Sequence, residues 1–294
     1  MKIRASNLAV QAETDARLTV DNVEVVGATG ACASGVVLKG MAELDARVLV
    51  TRGLGTAVSA QDLSTVRLTA TNIMGDRACP PTNRPVVAVE TSKMLSISDS
   101  MISTGNVGLA VTPRGDGLVV SVKDTVIRDM ARDGIVASAA PGRRYGLSVV
   151  GGQLSDNGSG AELFGPSTLM DGVSITRNQT VGVYSQDGGL TMRNCVVVDN
   201  ATGVDVLSSV TVDLGTVASP GKNTLRNNSS RNVLYESAAT AGGQLDAVGN
   251  LWNPSVQGAD AEGKYPAPAV VTGSVTVGQN YGILCDPGQC SLRR

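Results

Sequence analysis

The sequence predicts an all-β fold, a single-stranded right-handed parallel β-helix (solenoid) of about ten rungs. Three observations lead to this prediction. Two short strand patterns alternate along most of the 294 residues, and each is too short to fold alone. The apolar residues are almost all aliphatic, since only 2 % of the chain is aromatic. The 35 glycines suit the tight corners that a solenoid needs between its strands.

The first pattern has two apolar residues separated by one other residue, followed two places later by Asn, Asp or Gly. Alternation with a period of two indicates a strand with one buried face. The closing residue marks a corner, because Asn tolerates the left-handed backbone conformation and its amide can bond to the next Asn in a stack. The pattern occurs at Ile3–Asn7, Leu18–Asn22, Leu68–Asn72, Leu95–Asp99, Val120–Asp124, Leu147–Gly151 and Leu190–Asn194.

The second pattern is Gly, an apolar residue, any residue and usually a further apolar residue. Strands of three to five residues, roughly, become stable only when each pairs in parallel with its equivalent one rung away. Rungs of about 20 to 30 residues fit the spacing of the glycines. The pattern occurs at Gly35–Leu38, Gly108–Val111, Gly134–Ala137, Gly160–Leu163, Gly182–Ser185 and Gly203–Val206.

Together these patterns resemble the parallel β-helix repeat of the pectin-lyase-like superfamily over approximately residues 16–250. The resemblance implies the fold but not one activity, because that superfamily holds lyases, hydrolases, epimerases, phage tailspikes and non-catalytic surface proteins. Residues 244–253 are similar to the closing rung of many bacterial members, which implies that Trp252 covers the end of the coil. We therefore expect a β-helix over residues 1–253, then a C-terminal loop and closing strands over residues 254–294.

The first rung has no evident cap. Ile3 already fits a strand pattern, and nothing before it could cover the rung. An uncovered rung exposes a parallel sheet edge, which proteins normally protect. We therefore expect this sequence to be part of a longer protein, or another element to cover the edge. Any export signal is then expected upstream of residue 1.

Two disulfides and one buried thiol among the five cysteines would fit an oxidising compartment. Cys285 and Cys290 flank a Pro-Gly turn that lets their thiols face each other, which favours a disulfide. Cys32 and Cys79 lie in loop-like segments and form a second candidate pair, although that pairing has to skip a rung. Cys195 falls in a strand pattern and is predicted to be a small buried apolar residue.

The composition excludes several classes of function. The chain has no histidine, which rules out Ser-His-Asp triads, Cys-His dyads and His-ligated zinc. The net charge is −2 with no basic block, so we expect no nucleic-acid partner. No apolar run reaches membrane-spanning length, and we expect no membrane span. We expect no cofactor: calcium stays open as a ligand, but the sequence has no clustered Asp set like that of pectate lyases.

One column of outward residues carries the candidate chemistry. If the flanking residues of the second pattern point inward, the middle residue points outward, and this column reads Val37, Ala110, Val136, Glu162, Tyr184 and Asp205. Glu162 and Asp205 should lie about 9 to 10 Å apart at Cα, compatible with the roughly 6.5–9.5 Å between carboxylates of inverting glycosidases. We predict these two as a catalytic pair and Tyr184 as substrate-binding. Following loops add the substrate-binding candidates Arg114, Asp116, Arg143, Arg144 and Asp187.

Each of these features also has a simpler interpretation. Charged residues belong on the outer face of a solenoid, so the two carboxylates can be solvated surface alone. The first pattern has an outward row of mostly hydroxyl residues, which is typical of an exposed sheet and a weak match to an ice-binding surface. Sequons at Asn157, Asn178, Asn200 and Asn227 are interpreted as corners. The outward row of mostly hydroxyl residues in the first pattern reads Thr19, Thr69, Ser96, Ser121, Ser148, Met170 and Thr191.

These observations favour a non-catalytic extracellular or cell-surface protein that presents a long face to a polysaccharide or a surface partner. The alternative is a polysaccharide lyase or glycoside hydrolase acting through Glu162 and Asp205. A further alternative is a fragment of a phage tailspike or adhesin stalk, which would form trimers. The sequence leaves monomer and trimer undecided.

Overall fold

The computed structural model describes the chain except for residues 29, 80–83, 92, 141–142, 144, 208–211, 217, 237–243, 248, 253–269, 273–281, 287–288 and 294. For residues 235–236, 244–246, 252, 270–272, 282–286 and 289–293 it describes the backbone alone. The chain divides into two compact units, Met1–Ser148 and Val149–Arg294. The predicted domain boundary between residues 253 and 254 lies outside the described residues and stays a prediction. Among the described residues, no helix has the length and apolar character needed to cross a membrane.

The first unit consists of short strands that pair in parallel in three stacks. One stack is β2–β4–β6–β9–β12–β15. A second runs from the first halves of β3 and β5 to β7, β10 and β13, and a third joins β1 to their second halves and continues through β8, β11 and β14. The strands are β1 (Lys2–Ala5), β2 (Leu8–Ala12), β3 (Arg17–Gly27), β4 (Ser34–Leu38), β5 (Glu43–Leu54), β6 (Thr56–Asp62), β7 (Thr65–Thr69), β8 (Asn72–Gly75), β9 (Pro85–Thr91), β10 (Met94–Ser98), β11 (Met101–Gly105), β12 (Val107–Val111), β13 (Val119–Lys123), β14 (Val126–Met130) and β15 (Asp133–Ser138).

The second unit repeats this arrangement. Its parallel stacks are β18–β21–β24–β27, β19–β22–β25–β28 and β17–β20–β23–β26–β29, while β28–β30 and β31–β32 are antiparallel. Strand β16 (Gly146–Val150) crosses the division between the units. The other strands are β17 (Gln153–Ser155), β18 (Ser159–Phe164), β19 (Ser167–Asp171), β20 (Ser174–Thr176), β21 (Val181–Gln186), β22 (Leu190–Arg193), β23 (Val196–Val198), β24 (Thr202–Leu207), β25 (Val212–Asp213), β26 (Thr224–Arg226), β27 (Arg231–Glu236), β28 (Gln244–Asp246), β29 (Leu251–Trp252), β30 (Val270–Thr272), β31 (Gly282–Asp286) and β32 (Gln289–Arg293).

The predicted parallel β-helix is confirmed. The described residues form about nine turns, close to the ten rungs expected. In the first unit the interior is built from ladders of aliphatic side chains, such as Val58, Val87, Leu109 and Ile135, each of which is 0 % exposed. Since each rung alone buries little apolar area, these ladders make adjacent rungs depend on each other for stability.

Four of the predicted Asn and Asp corners have the left-handed backbone that their types favour, whereas Asn72 begins β8 and the left-handed residue of its segment is Ala70, with a φ of 52°. The φ angles of Asn22, Asp99, Asp124 and Asn194 are 52°, 50°, 45° and 54°, so all four are left-handed. Two assignments to the outward hydroxyl row are wrong. Thr69 ends its strand, and Arg67 takes the place opposite Ser96. Met170 is 0 % exposed, while its neighbour Leu169 faces outward opposite Thr191.

A buried ladder of asparagine side chains lies at the corners before β18, β21 and β24. The Nδ2 atoms of Asn157, Asn178 and Asn200 donate to the Oδ1 atoms of Asn178, Asn200 and Asn228, at 3.1, 2.9 and 3.0 Å respectively. Three of the predicted corner sequons therefore have their asparagine in this ladder. The fourth, at Asn227, is exposed with a φ of 56°, and its neighbour Asn228 occupies the ladder instead.

The glycines of the second pattern are required because backbones approach closely at this position. A Cβ atom on Gly182 would lie 2.5 Å from the carbonyl oxygen of Gly203, closer than side chains tolerate. Gly108 meets the carbonyl oxygen of Gly134 in the same way, also at 2.5 Å. The recurrent glycine therefore reflects the close stacking of successive rungs.

Replacing Gly182 by Ala is expected to lower the free energy of unfolding by about 2–3 kcal/mol, because the added methyl group has to displace a neighbouring backbone. Urea unfolding followed by far-ultraviolet circular dichroism measures the change. Gly146→Ala is the matched control, since a Cβ there meets no atom within 4 Å. Equal stability of the two variants would contradict the close approach.

Candidate functional site

The outward column predicted from the second pattern exists in the second unit. Glu162 lies opposite Tyr184, Tyr184 opposite Asp205, and Asp205 opposite Leu234, each on the next rung. The first three side chains are half-buried. The spacing therefore places these residues as predicted, while their catalytic and substrate-binding roles stay predictions.

An aromatic contact lies at the centre of this surface. The ring of Phe164, the only phenylalanine of the chain, packs against the ring of Tyr184 with centroids 5.6 Å apart and planes tilted by 55°. Tilted pairs at this distance are favourable by about 0.5–1.5 kcal/mol beyond their buried area. Since only 2 % of the chain is aromatic, a partly exposed pair of rings is a distinctive feature of this face.

Hydrogen bonds hold the polar side chains of the column in place. The Ser159 hydroxyl donates to Oε1 of Glu162 at 3.0 Å. The Tyr184 hydroxyl donates to Oε1 of Gln186 at 3.0 Å, and Nε2 of Gln186 donates to Oδ2 of Asp187 at 3.3 Å. Asp187, left-handed with a φ of 57°, is thereby linked to Tyr184. We call the surface formed by Glu162, Phe164, Tyr184, Gln186, Asp187 and Asp205 the Tyr184 face.

The remaining predicted substrate-binding residues belong to the first unit. Arg114 pairs with Glu90 at 2.5 Å, and Arg143 pairs with Asp116 at 3.9 Å. Arg144 lies outside the described residues. Exposed ion pairs of this kind contribute about 0–1 kcal/mol, so neither pair alone indicates a built site.

Phe164 and Gln186 are members of the site that the second sequence pattern does not identify. They occupy the outward position two residues after Glu162 and Tyr184, and they lie opposite each other on adjacent rungs. The period-two rule that identified the first column also identifies this one. The second pattern ends at its last apolar residue, one position before Phe164, and therefore does not include this second column.

No group of three or more Cys, Asp or Glu side chains that could hold a metal ion occurs among the residues the structure describes. In the Tyr184 face, the carboxylates of Glu162 and Asp205 are two rungs apart, with Tyr184 on the rung between them.

The cysteines divide into a bonded pair, a buried thiol and a hairpin pair. A disulfide joins Cys32 to Cys79, with Cα atoms 5.2 Å apart, although this pairing was the less favoured one. Cys285 and Cys290 are opposite each other across the β31–β32 hairpin. Their predicted disulfide lies outside the described side chains, as does the predicted covering role of Trp252.

Cys195 is the free, buried cysteine among the described residues, as its strand position predicts. Burial raises the pKa of its thiol to about 11. Its Sγ donates to the carbonyl oxygen of Arg193 at 3.2 Å, and its backbone N–H donates to Oδ1 of Asn223 at 2.9 Å. This environment fits a structural residue and not a nucleophile, because the thiolate is the reactive form.

We therefore expect Cys195 in the folded protein to react with a thiol reagent at pH 8 at least about 100-fold more slowly than in urea, since two pKa units reduce the thiolate fraction by that factor. Mass spectrometry of the labelled peptides separates Cys195 from the other cysteines. Cys195→Ala is the control and should remove the slow site. Equal labelling rates with and without urea would contradict the burial of this thiol.

Comparison with known families places the chain's repeat region in a described family. A family model described as a right-handed β-helix region matches residues 85–250. No curated protein and no solved structure matches the chain. The family match spans more than half of the chain and includes the whole Tyr184 face.

Proposed function

Because the chain belongs to the right-handed β-helix family, we propose that it is an extracellular or cell-surface β-helix protein that binds a polysaccharide on the Tyr184 face without catalysing a reaction. The observation that carries the proposal is the Phe164–Tyr184 ring pair, flanked on successive rungs by Glu162 and Asp205. Aromatic rings present an apolar surface to the faces of sugar rings, and carboxylate oxygens accept hydrogen bonds from hydroxyl groups. The Cys32–Cys79 disulfide supports the oxidising compartment.

The stacked rungs give this face the shape of a binding surface for an extended polymer. Its side chains repeat every ~4.8 Å along the solenoid, so successive units of an extended chain meet successive rungs. The site is also held in place before binding, because Ser159 and Gln186 fix the Glu162 and Tyr184 side chains. Such preorganisation reduces the entropy lost on association.

The test is binding to a panel of immobilised neutral, acidic and amino-sugar polysaccharides. Tyr184→Ala is expected to weaken binding by roughly 5- to 30-fold, about 1–2 kcal/mol, because it removes the central ring. Leu169→Ala is the matched control, since it removes a 40 % exposed apolar side chain from a different stack of the same unit. Absence of binding to every polysaccharide, or an equal loss in both variants, would contradict the proposal.

The alternative of a lyase or hydrolase rests on the placement of Glu162 and Asp205 in one column, two rungs apart. Tyr184, the longest of the three side chains, stands between them, which favours stacking of a sugar over attack on a bond held between the carboxylates. Product formation from uronic-acid or neutral polysaccharides by the wild type, lost in both Glu162→Gln and Asp205→Asn, would establish catalysis and overturn the non-catalytic proposal.

A further inference from the structure

We infer that the polysaccharide bound by the Tyr184 face is an amino-sugar polymer with free, protonated amino groups. This inference rests on the proposed function and adds the chemical class of the ligand. Two independent features of the face, its carboxylates and its aromatic pair, both attract cations. A neutral or uronic-acid polymer would use only part of this surface, or would be repelled by it.

The charge of the face is the first feature. On strands β18, β21 and β24 and the turn after β21, the charged side chains are the carboxylates of Glu162, Asp205 and Asp187. Among the described residues, Glu162 and Asp187 have hydrogen-bond donors, Ser159 and Gln186, but no ion pair. The one cation on the described side chains of this stack is Arg231, opposite Thr202 on the last rung. A polyanion such as polygalacturonate would meet the like charges of Glu162 and Asp187 here.

The aromatic pair is the second feature. The face of an aromatic ring attracts an ammonium group within about 6 Å of its centre, and the attraction grows when carboxylates share the site. Tyr184 lies directly between Glu162 and Asp205, so a cation over its ring is within one rung of either carboxylate. One amino group per sugar would allow successive ammonium groups to meet successive rungs. The hydroxyl groups of the same sugars remain available to Gln186.

The experiment measures binding of the full chain to glucosamine oligomers at about pH 5.5, where ordinary carboxyl groups are ionised. The N-acetylated oligomer of the same length, a galacturonate oligomer and spermine are the other probes. The glucosamine oligomer is expected to bind at least about 5-fold more tightly than the N-acetylated oligomer and spermine, and to weaken as salt rises, because exposed charge pairs are screened.

Charge-neutral variants locate the effect. Glu162→Gln combined with Asp205→Asn is expected to weaken glucosamine binding by roughly 4- to 25-fold, from about 2- to 5-fold per carboxylate, and to leave the N-acetylated oligomer nearly unaffected. Glu90→Gln is the matched control, because this carboxylate is also partly exposed but pairs with Arg114 in the first unit. Far-ultraviolet circular dichroism confirms that each variant is folded.

The outcomes separate this inference from the proposed function. Equal binding of the glucosamine and N-acetylated oligomers, insensitive to salt, would overturn the amino-sugar inference while polysaccharide binding stands. Preferred binding of galacturonate, equal binding of spermine, or an equal effect of Glu90→Gln would overturn it as well. Failure of every sugar probe to bind would contradict the proposed function itself.

Discussion

Replacing Asn178 by Ala is expected to lower the free energy of unfolding by about 3–5 kcal/mol, because it leaves several buried polar groups without partners at once. Oδ1 of Asn178 accepts from the backbone nitrogen and Nδ2 of Asn157, at 3.2 and 3.1 Å. Its Nδ2 donates to the carbonyl oxygen of Leu154 and to Oδ1 of Asn200. With Asn178 only 2 % exposed, water cannot easily replace these bonds.

Urea unfolding followed by circular dichroism measures this loss, and Gln179→Ala is the matched control. Gln179 is the next residue along the chain, is exposed, and should change stability by less than about 0.5 kcal/mol. An Asn178→Ala protein within about 1 kcal/mol of the wild type would show that the ladder contributes little. It would also imply that water enters the corner.

The asparagine ladder connects the fold to the candidate site. Asn157, Asn178 and Asn200 each lie at the corner before the strand that carries Glu162, Tyr184 or Asp205. The ladder fixes the alignment of those three corners, so it also fixes which outward side chains become neighbours. Asn178→Ala is therefore expected to weaken ligand binding as well as stability, through loss of alignment and not of contact.

The strands and the Glu162–Tyr184–Asp205 column could be predicted from the sequence because both depend on local alternation. A period of two determines which side chains point outward, and the recurrent glycine sets the same starting point on each rung. At Thr69 the buried Val66 and Leu68 gave the right phase, but the register was off by two residues, because the pairing places Arg67 opposite Ser96. At Met170 the adjacent Leu169 and Met170 are apolar in both phases, so only the pairing with the neighbouring rung selects one.

Contacts between side chains on different rungs could not be predicted in the same way. The Phe164–Tyr184 ring contact depends on the angle at which adjacent strands stack, which no residue pattern encodes. A second asparagine ladder joins Nδ2 of Asn223 to Oδ1 of Asn250 at 2.9 Å. Cys195 takes the next place in this second ladder, and only the hydrogen bond from its backbone N–H to Asn223 reveals this.

The Cys32–Cys79 disulfide is the clearest case of a contact that the sequence could not predict, because it depends on the structure of the rung between the two cysteines. The pairing skips a rung, which argued against it. In the intervening rung, however, β5 ends at Leu54 and β6 begins at Thr56, with Gly55 alone between them. This corner has no loop to separate the segments around Cys32 and Cys79. A sequence pattern that locates the corners but not the size of the loops at each corner cannot predict such a contact.

Removal of this disulfide in a Cys32→Ala, Cys79→Ala protein is expected to lower the free energy of unfolding by about 4 kcal/mol, the loop-closure value for the sequence separation of 47 residues. The bond acts mainly on the unfolded chain, which loses conformational freedom when these residues are joined. It also links a loop before β4 to a loop after β8, so its loss should loosen the first unit first. Urea unfolding of the non-reduced protein and the variant measures the difference.

The matched control is to add a reductant to both proteins. Because the reductant can also act on Cys285 and Cys290, the change that it causes in the double variant measures that separate effect. Reduced wild type should approach the stability of the double variant, while the variant itself should change little when the reductant is added. The first unit should then exchange its backbone amide hydrogens faster than before, most strongly in β4, β6 and β9. If the double variant is as stable as the oxidised wild type, the packing around Gly55 holds these loops together without the bond, and the crosslink contributes nothing measurable to the fold.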